Sequence, residues 1–154
     1  MLEVVHGRRI GRLLLVGLAT ALLAACSSHA SLRKHSEADK RMPVPPGKAL
    51  VYLYRPSPAG GTTVFDVAVN GAYIGKTLPG SYYLIEAPAG ALDLQSLGDN
   101  TAELQLKVRP GKRYYVRQRY ALSLFTGRAS MAVMDPTSGR RGLAGTSLLG
   151  EIKL

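Results

Sequence analysis

The chain has 154 residues, 20 Lys and Arg against 10 Asp and Glu, and a formal net charge of +10. Its single cysteine excludes an intramolecular disulfide, and its 46% hydrophobic content excludes a disordered chain. The length suits one domain with extensions.

The N-terminus reads as an export signal. Arg8, Arg9 and Arg12 form a basic block, and an uncharged, mostly apolar run of 13 residues follows from Leu13 to Ala25. A helix needs about 20 apolar residues to cross the hydrocarbon core, whereas a run of about 10–14 fits a signal-peptide core. Small residues, Ala24 and Ala25, close the run where a cleavage site belongs. Leu23-Ala24-Ala25-Cys26 then resembles the lipobox of bacterial lipoproteins. The resemblance implies that the Cys26 thiol receives a diacylglycerol, that the signal is cut just before it, and that the new amino group is acylated, usually with palmitate. Several acyl chains make a stable anchor where one is marginal. Lipidation consumes the sulfur, so Cys26 has no redox or catalytic use. Ser27, not Asp, stands second in the mature chain. By resemblance to lipoprotein sorting, that implies the outer membrane with the protein facing the periplasm. The alternative is an ordinary secretory signal or an uncleaved anchor, with Cys26 incidental.

Removing residues 1–25 leaves 17 basic and 9 acidic residues, a net +8. Residues 27–42 mix both charges with small polar residues and lack the periodicity of a packed element. Pro43, Pro45 and Pro46 then forbid a regular helix. The sequence therefore divides into a signal peptide (1–25), a lipidated cysteine with a flexible linker (26–46), and a folded domain (47–154). A short helix around Ser36 to Arg41 is the one element the linker offers.

From Lys48 onward, short runs of Val, Leu, Tyr and Ile alternate with Gly and Pro turns, the mark of an all-β domain. Residues 49–55 are apolar on both faces and predict a central strand. Residues 63–69 place Phe65, Val67 and Val69 on one face and Asp66 on the other. Asn70-Gly71 is the strongest short hairpin signal. Strands are predicted at 73–78, 82–87, 92–97, 103–108, 113–122 and 128–135, with breaks at 57–61, 79–80, 88–90, 98–100 and 109–112. The Gly-rich tail, 136–154, predicts either an edge strand at Ser147 to Ile152 or loose packing. Seven to eight turn-punctuated strands and no confident helix predict a small antiparallel β-sandwich.

The stretches "PPGKALVYLYRPSP", "VNGAYIGKTLPGSYYLIEAPAG" and "VRPGKRYYVR" resemble a family of bacterial lipoprotein domains of unknown function, DUF2846, over about residues 45–125. "VNGAYIG" and the following "PAG" are also similar to PEGA-type modules. The resemblance implies a small β-sandwich of the cell envelope. Its motifs are turn and core residues and imply no activity.

Catalytic and metal-binding patterns are not found. "GAYIGKT" (71–77) encloses three residues where a phosphate loop needs four, and Asn70 stands where its first Gly belongs. His6 falls in the signal, and His29 and His35 in the linker, so the folded domain has no histidine for a serine hydrolase or a zinc site. Asp66, Glu86, Asp93 and Glu103 fall at outward strand positions or turns, where solvation explains them. No catalytic residue, metal ligand or cofactor is expected. What remains is "KRYYVRQRY": alternate residues of a strand share a face, which groups Arg113, Tyr115, Arg117 and Arg119 as a candidate anion-binding surface. Cations interleaved with an aromatic suit anionic polymers; the plainer explanation is a solvated strand face whose charges discourage aggregation. Export argues against nucleic acid as partner.

These observations predict a lipid-anchored envelope lipoprotein. Its sandwich would be a non-enzymatic binding or structural module for an envelope protein or an acidic glycan. The alternatives are an accessory subunit of a secretion or transport complex and, further off, an envelope enzyme.

Overall fold

Nine strands and one short helix form among residues 40–56, 63–122 and 127–154, which the computed structural model describes. The strands are β1 (Lys48–Arg55), β2 (Phe65–Val69), β3 (Ala72–Thr77), β4 (Ser81–Pro88), β5 (Gly90–Leu97), β6 (Thr101–Val108), β7 (Arg113–Leu122), β8 (Gly127–Met134) and β9 (Ser147–Lys153). Helix α1 (Pro136–Leu143) lies between β8 and β9. The export signal, Cys26, His29, His35, most of the short helix suggested at 36–41 and the break at 57–61 lie outside the described residues.

Turn chemistry sets the local structure. Asn70 (φ 48°) and Gly71 (φ 78°) both take left-handed backbone, as a tight two-residue hairpin requires. The Asn70 side chain accepts the Asp93 N–H at 3.0 Å and fastens the hairpin to β5. Strands on either side alternate apolar and polar residues, so each offers one face to a core.

Two sheets result, a five-stranded one in the order β8-β7-β1-β4-β9 and a four-stranded one in the order β3-β2-β5-β6. Between them lie Val51 and Leu53 of β1, Val67 and Val69 of β2, Ile85 of β4, Leu92 and Leu94 of β5, Val108 of β6 and Val116 of β7. Each fully buried aliphatic side chain of this kind contributes about 1.5–3 kcal/mol. The all-β sandwich predicted from the sequence is thus the architecture observed.

Three features differ from expectation. First, two of the seven strand pairings are parallel, β1 with β7 and β4 with β9. The hairpin signals that argue for antiparallel neighbours act only between adjacent strands and are silent about distant ones. Second, the tail forms helix α1 where no helix was expected, ahead of β9, which is the edge strand expected at Ser147 to Ile152 and brings the count to nine. Third, residues ahead of β1, from Lys40 onward, belong to the same packed unit as the strands.

That third difference follows from a second core on the outer face of the five-stranded sheet. Leu50, Tyr52 and Tyr54 of β1, Tyr82 and Leu84 of β4, and Tyr115 of β7 pack there against Leu143 of α1, with Met42 and Val44 of the entering chain. β1 is therefore covered on both sides, and every residue from Ala49 to Arg55 is buried.

Candidate anion-binding groove

The groove is built on a floor of tyrosines. Parallel pairing sets Tyr52 beside Tyr115, and the two rings stack with centroids 5.3 Å apart and planes 11° from parallel. α1 lies directly on this floor because it carries glycine where it touches. A Cβ on Gly139 would come within 2.3 Å of the Tyr115 ring, and one on Gly142 within 2.6 Å of the Tyr54 ring. The helix starts at Pro136, a residue suited to the first helical position. Asp135 caps it by accepting the N–H groups of Thr137 and Ser138, both at 3.0 Å. Those bonds, that from Ser138 first, hold the Asp135 carboxyl below its ordinary pKa.

The helix interrupts the stripe read from the sequence. Arg113, Tyr115, Arg117 and Arg119 do share the outer face of β7, but α1 packs on Tyr115 in the middle of it. Tyr115 is only 3% exposed and its ring is occupied by Tyr52, so it is not available to stack on a sugar. Arg117 is half-buried, and its Nε has no hydrogen-bond partner among the described residues. Arg119 is exposed. Burial raises the pKa of the neighbouring Tyr54 phenol; Arg117 and Arg119 oppose the shift and Asp135 reinforces it.

Arg113 instead joins residues that are distant in the sequence. Its guanidinium Nη2 donates to the Met42 carbonyl at 2.5 Å, which ties the entering chain to β7. Lys40, Arg41, Gly111, Lys112, Arg113, Tyr115, Pro136 and Arg140 together line an open groove of about 490 Å³. Five of these residues are cationic, and among the described residues no carboxylate lines it. A second depression of about 340 Å³ shares Lys112 and Arg113 and adds Lys107, Arg109 and Tyr114. Seven cations thus surround the 109–113 turn. The Lys40 ammonium also sits 5.6 Å from the centre of the Tyr82 ring, a cation–π contact that steadies the rim. Among the described residues, none of Arg41, Lys112, Arg113 and Arg140 forms an ion pair.

Of the groove residues, the sequence singles out Arg113 and Tyr115 but not Lys40, Arg41, Lys112 or Arg140. The adjacency of Lys112 to Arg113 in the "RPGK" turn was a usable signal. Nothing local marks Arg140, which reaches the groove through the packing of α1.

Other polar groups have local partners. Lys76, the lysine of the phosphate-loop lookalike, donates to Asp66 at 2.7 Å. This bond lowers the Asp66 pKa and raises that of Lys76. Asp93 and Glu103 on the four-stranded sheet accept from Gln105 and Gln95 at 3.1 and 3.2 Å. Among the described residues, no group of three or more His, Cys, Asp or Glu could hold a metal ion.

Residues 45–129, more than half of the chain, match the family described as "Protein of unknown function (DUF2846)". The chain belongs to the DUF2846 family. The DUF2846 match runs from just before β1 into β8, so it includes Lys107, Arg109, Lys112 and Arg113 and omits Lys40, Arg41 and Arg140. An uncharacterized protein of Haemophilus influenzae is 24% identical to this chain over 133 residues, which are 84% of this chain and 79% of that protein. No solved structure matches the chain.

Proposed function

We propose that this DUF2846 protein is a lipoprotein anchored in the outer membrane through lipid on Cys26 and facing the periplasm. Its sandwich is a non-catalytic module that binds an anionic envelope component. The observation that carries the binding reading is the groove, five cations brought together from three separate segments. Like charges gathered on a rigid frame repel one another, and an anion that enters relieves the repulsion. A binding role is favoured over a catalytic one because, among the described residues, the lining offers cations and no carboxylate or imidazole to move a proton near neutral pH. The lipobox at 23–26 supports the anchor.

Two measurements test the two halves. Cys26→Ser should leave an unprocessed precursor that takes up no radioactive palmitate; a mutant that labels and sediments with membranes like its parent overturns the anchor. The unlipidated mature chain should bind lipopolysaccharide at low salt and release it as salt rises, since screening acts over about 8–10 Å at physiological ionic strength. Absence of binding at low salt overturns the anionic partner.

A further inference from the structure

We propose that the groove docks on the phosphate-bearing lipid headgroups of the leaflet that carries the protein's own anchor. The sandwich then lies groove-down on the membrane and does not swing free. This deepens the reading above and rests on the anchor at Cys26.

Position is the first argument. Lys40 and Arg41 line the groove and are the first residues of the packed unit. Only 13 residues, 27–39, separate them from Cys26. A chain spans at most about 3.6 Å per residue, so a lipidated Cys26 cannot release this rim more than about 50 Å from the leaflet. Tethering of this kind turns docking into an intramolecular event at high effective concentration.

Charge is the second. Arg41, Lys112, Arg113 and Arg140 face the groove without ion pairs among the described residues. Each Lys or Arg at an anionic leaflet strengthens association about fivefold. The shape is the third. The groove is open and about 490 Å³, and it shares Lys112 and Arg113 with the depression at Lys107 and Arg109. A broad, shallow cationic surface suits headgroups lying in a plane.

The test uses the mature chain, residues 26–154, carrying Cys26→Ser so that no lipid holds it to the vesicle. Phosphatidylcholine vesicles with about 30% phosphatidylglycerol should sediment it, and pure phosphatidylcholine should not. Lys112→Glu combined with Arg140→Glu should weaken binding at least tenfold, an estimate of about fivefold per charge. Arg41→Glu alone should weaken it about fivefold or more. Thermal melts identify any variant that fails to fold, and Arg41→Glu, outside both sheets, then decides. Equal sedimentation by both vesicle types, or undiminished binding by the folded variants, overturns the proposal. Binding to soluble polygalacturonate or to inorganic phosphate but not to anionic vesicles overturns the leaflet as partner and leaves the anionic groove standing. Vesicle binding in a protein whose Cys26 takes up no palmitate retains the cationic surface and removes the tether argument.

Discussion

Thr77 and Gln118 join the two sheets through a buried hydrogen bond: the Thr77 hydroxyl donates to the Gln118 side-chain oxygen at 2.6 Å. Gln118 in turn donates to the Ser96 hydroxyl at 2.5 Å, so β3, β5 and β7 meet at one polar point inside the sandwich. Apolar packing is non-directional and tolerates a slid sheet. A satisfied polar network is directional and fixes which residue of one sheet faces which residue of the other.

Gln118→Leu should therefore destabilise the fold by about 1–3 kcal/mol, because the buried Ser96 hydroxyl loses its donor and the Thr77 hydroxyl keeps only the longer approach to the Phe65 carbonyl at 3.4 Å. Removing the whole network with Thr77→Val, Ser96→Ala and Gln118→Leu should recover much of that loss. Urea denaturation of the two variants measures the difference. A triple variant that loses the sum of three separate deficits contradicts the account.

Gly139→Ala and Gly142→Ala should both destabilise. In an exposed helix each change would gain about 1 kcal/mol. Here the new methyl meets the rings of Tyr115 and Tyr54 at 2.3 and 2.6 Å. Both tyrosines are buried and packed, so neither can give way, and overpacking costs about 1–3 kcal/mol. Thermal melts should show a lower midpoint for each variant; a raised midpoint would mean that the helix does not sit on the tyrosine floor.

These two glycines also explain where the sequence was hard to read. "PTSGRRGL" has weak intrinsic helix propensity, and only Asp135-Pro136 hints at a start. Its helical state is imposed by the surface beneath it. The strands were legible because alternation and turn residues are local, and β1 announced its central place by being apolar on both faces. Parallel pairing of β1 with β7 involves residues about as far apart as Leu50 and Arg113 and leaves no local mark. The groove was half legible for the same reason. Arg113 stood out on its strand, whereas Arg41 and Arg140 meet it only in the folded chain.

Arg55→Met should leave stability unchanged within about 1 kcal/mol or raise it. Arg55 is 1% exposed and donates to the Thr63 carbonyl at 2.6 Å, with its guanidinium 4.9 Å from the Phe65 ring centre. Its Nε and Nη2 are buried without hydrogen-bond partners among the described residues, and burial lowers its pKa. Methionine fills similar space without a charge to desolvate. Arg55→Ala should instead cost about 2–4 kcal/mol through the cavity it opens. A large loss in Arg55→Met would show that the charge itself holds the sheet ends together.

Acid should loosen the helix through Asp135. A carboxyl whose folded pKa is depressed contributes stability that is complete above its unfolded value, near 3.9, and is lost as pH falls through the folded value. The stability difference between the parent and Asp135→Ala should therefore be largest near neutral pH and shrink below about pH 4. Asp66, held down by Lys76, supplies a separate part of the acid limb that this substitution leaves in place. Denaturation midpoints across the acid range follow both; a pH-independent difference would contradict the capping role.

The central claim is that anions bind in the groove at Arg113 and Arg140 rather than along the whole face of β7. Lipopolysaccharide titration at low salt, with Lys112→Gln/Arg140→Gln compared against Arg117→Gln/Arg119→Gln, separates the two most directly. The groove pair should lose at least about tenfold in affinity, from about fivefold for each charge at an anionic surface. The strand pair, which does not line the groove, should lose clearly less affinity than the groove pair, since it contributes only to the long-range attraction that low salt leaves in place. Equal losses in both variants, or a larger loss in the strand pair, would contradict the account.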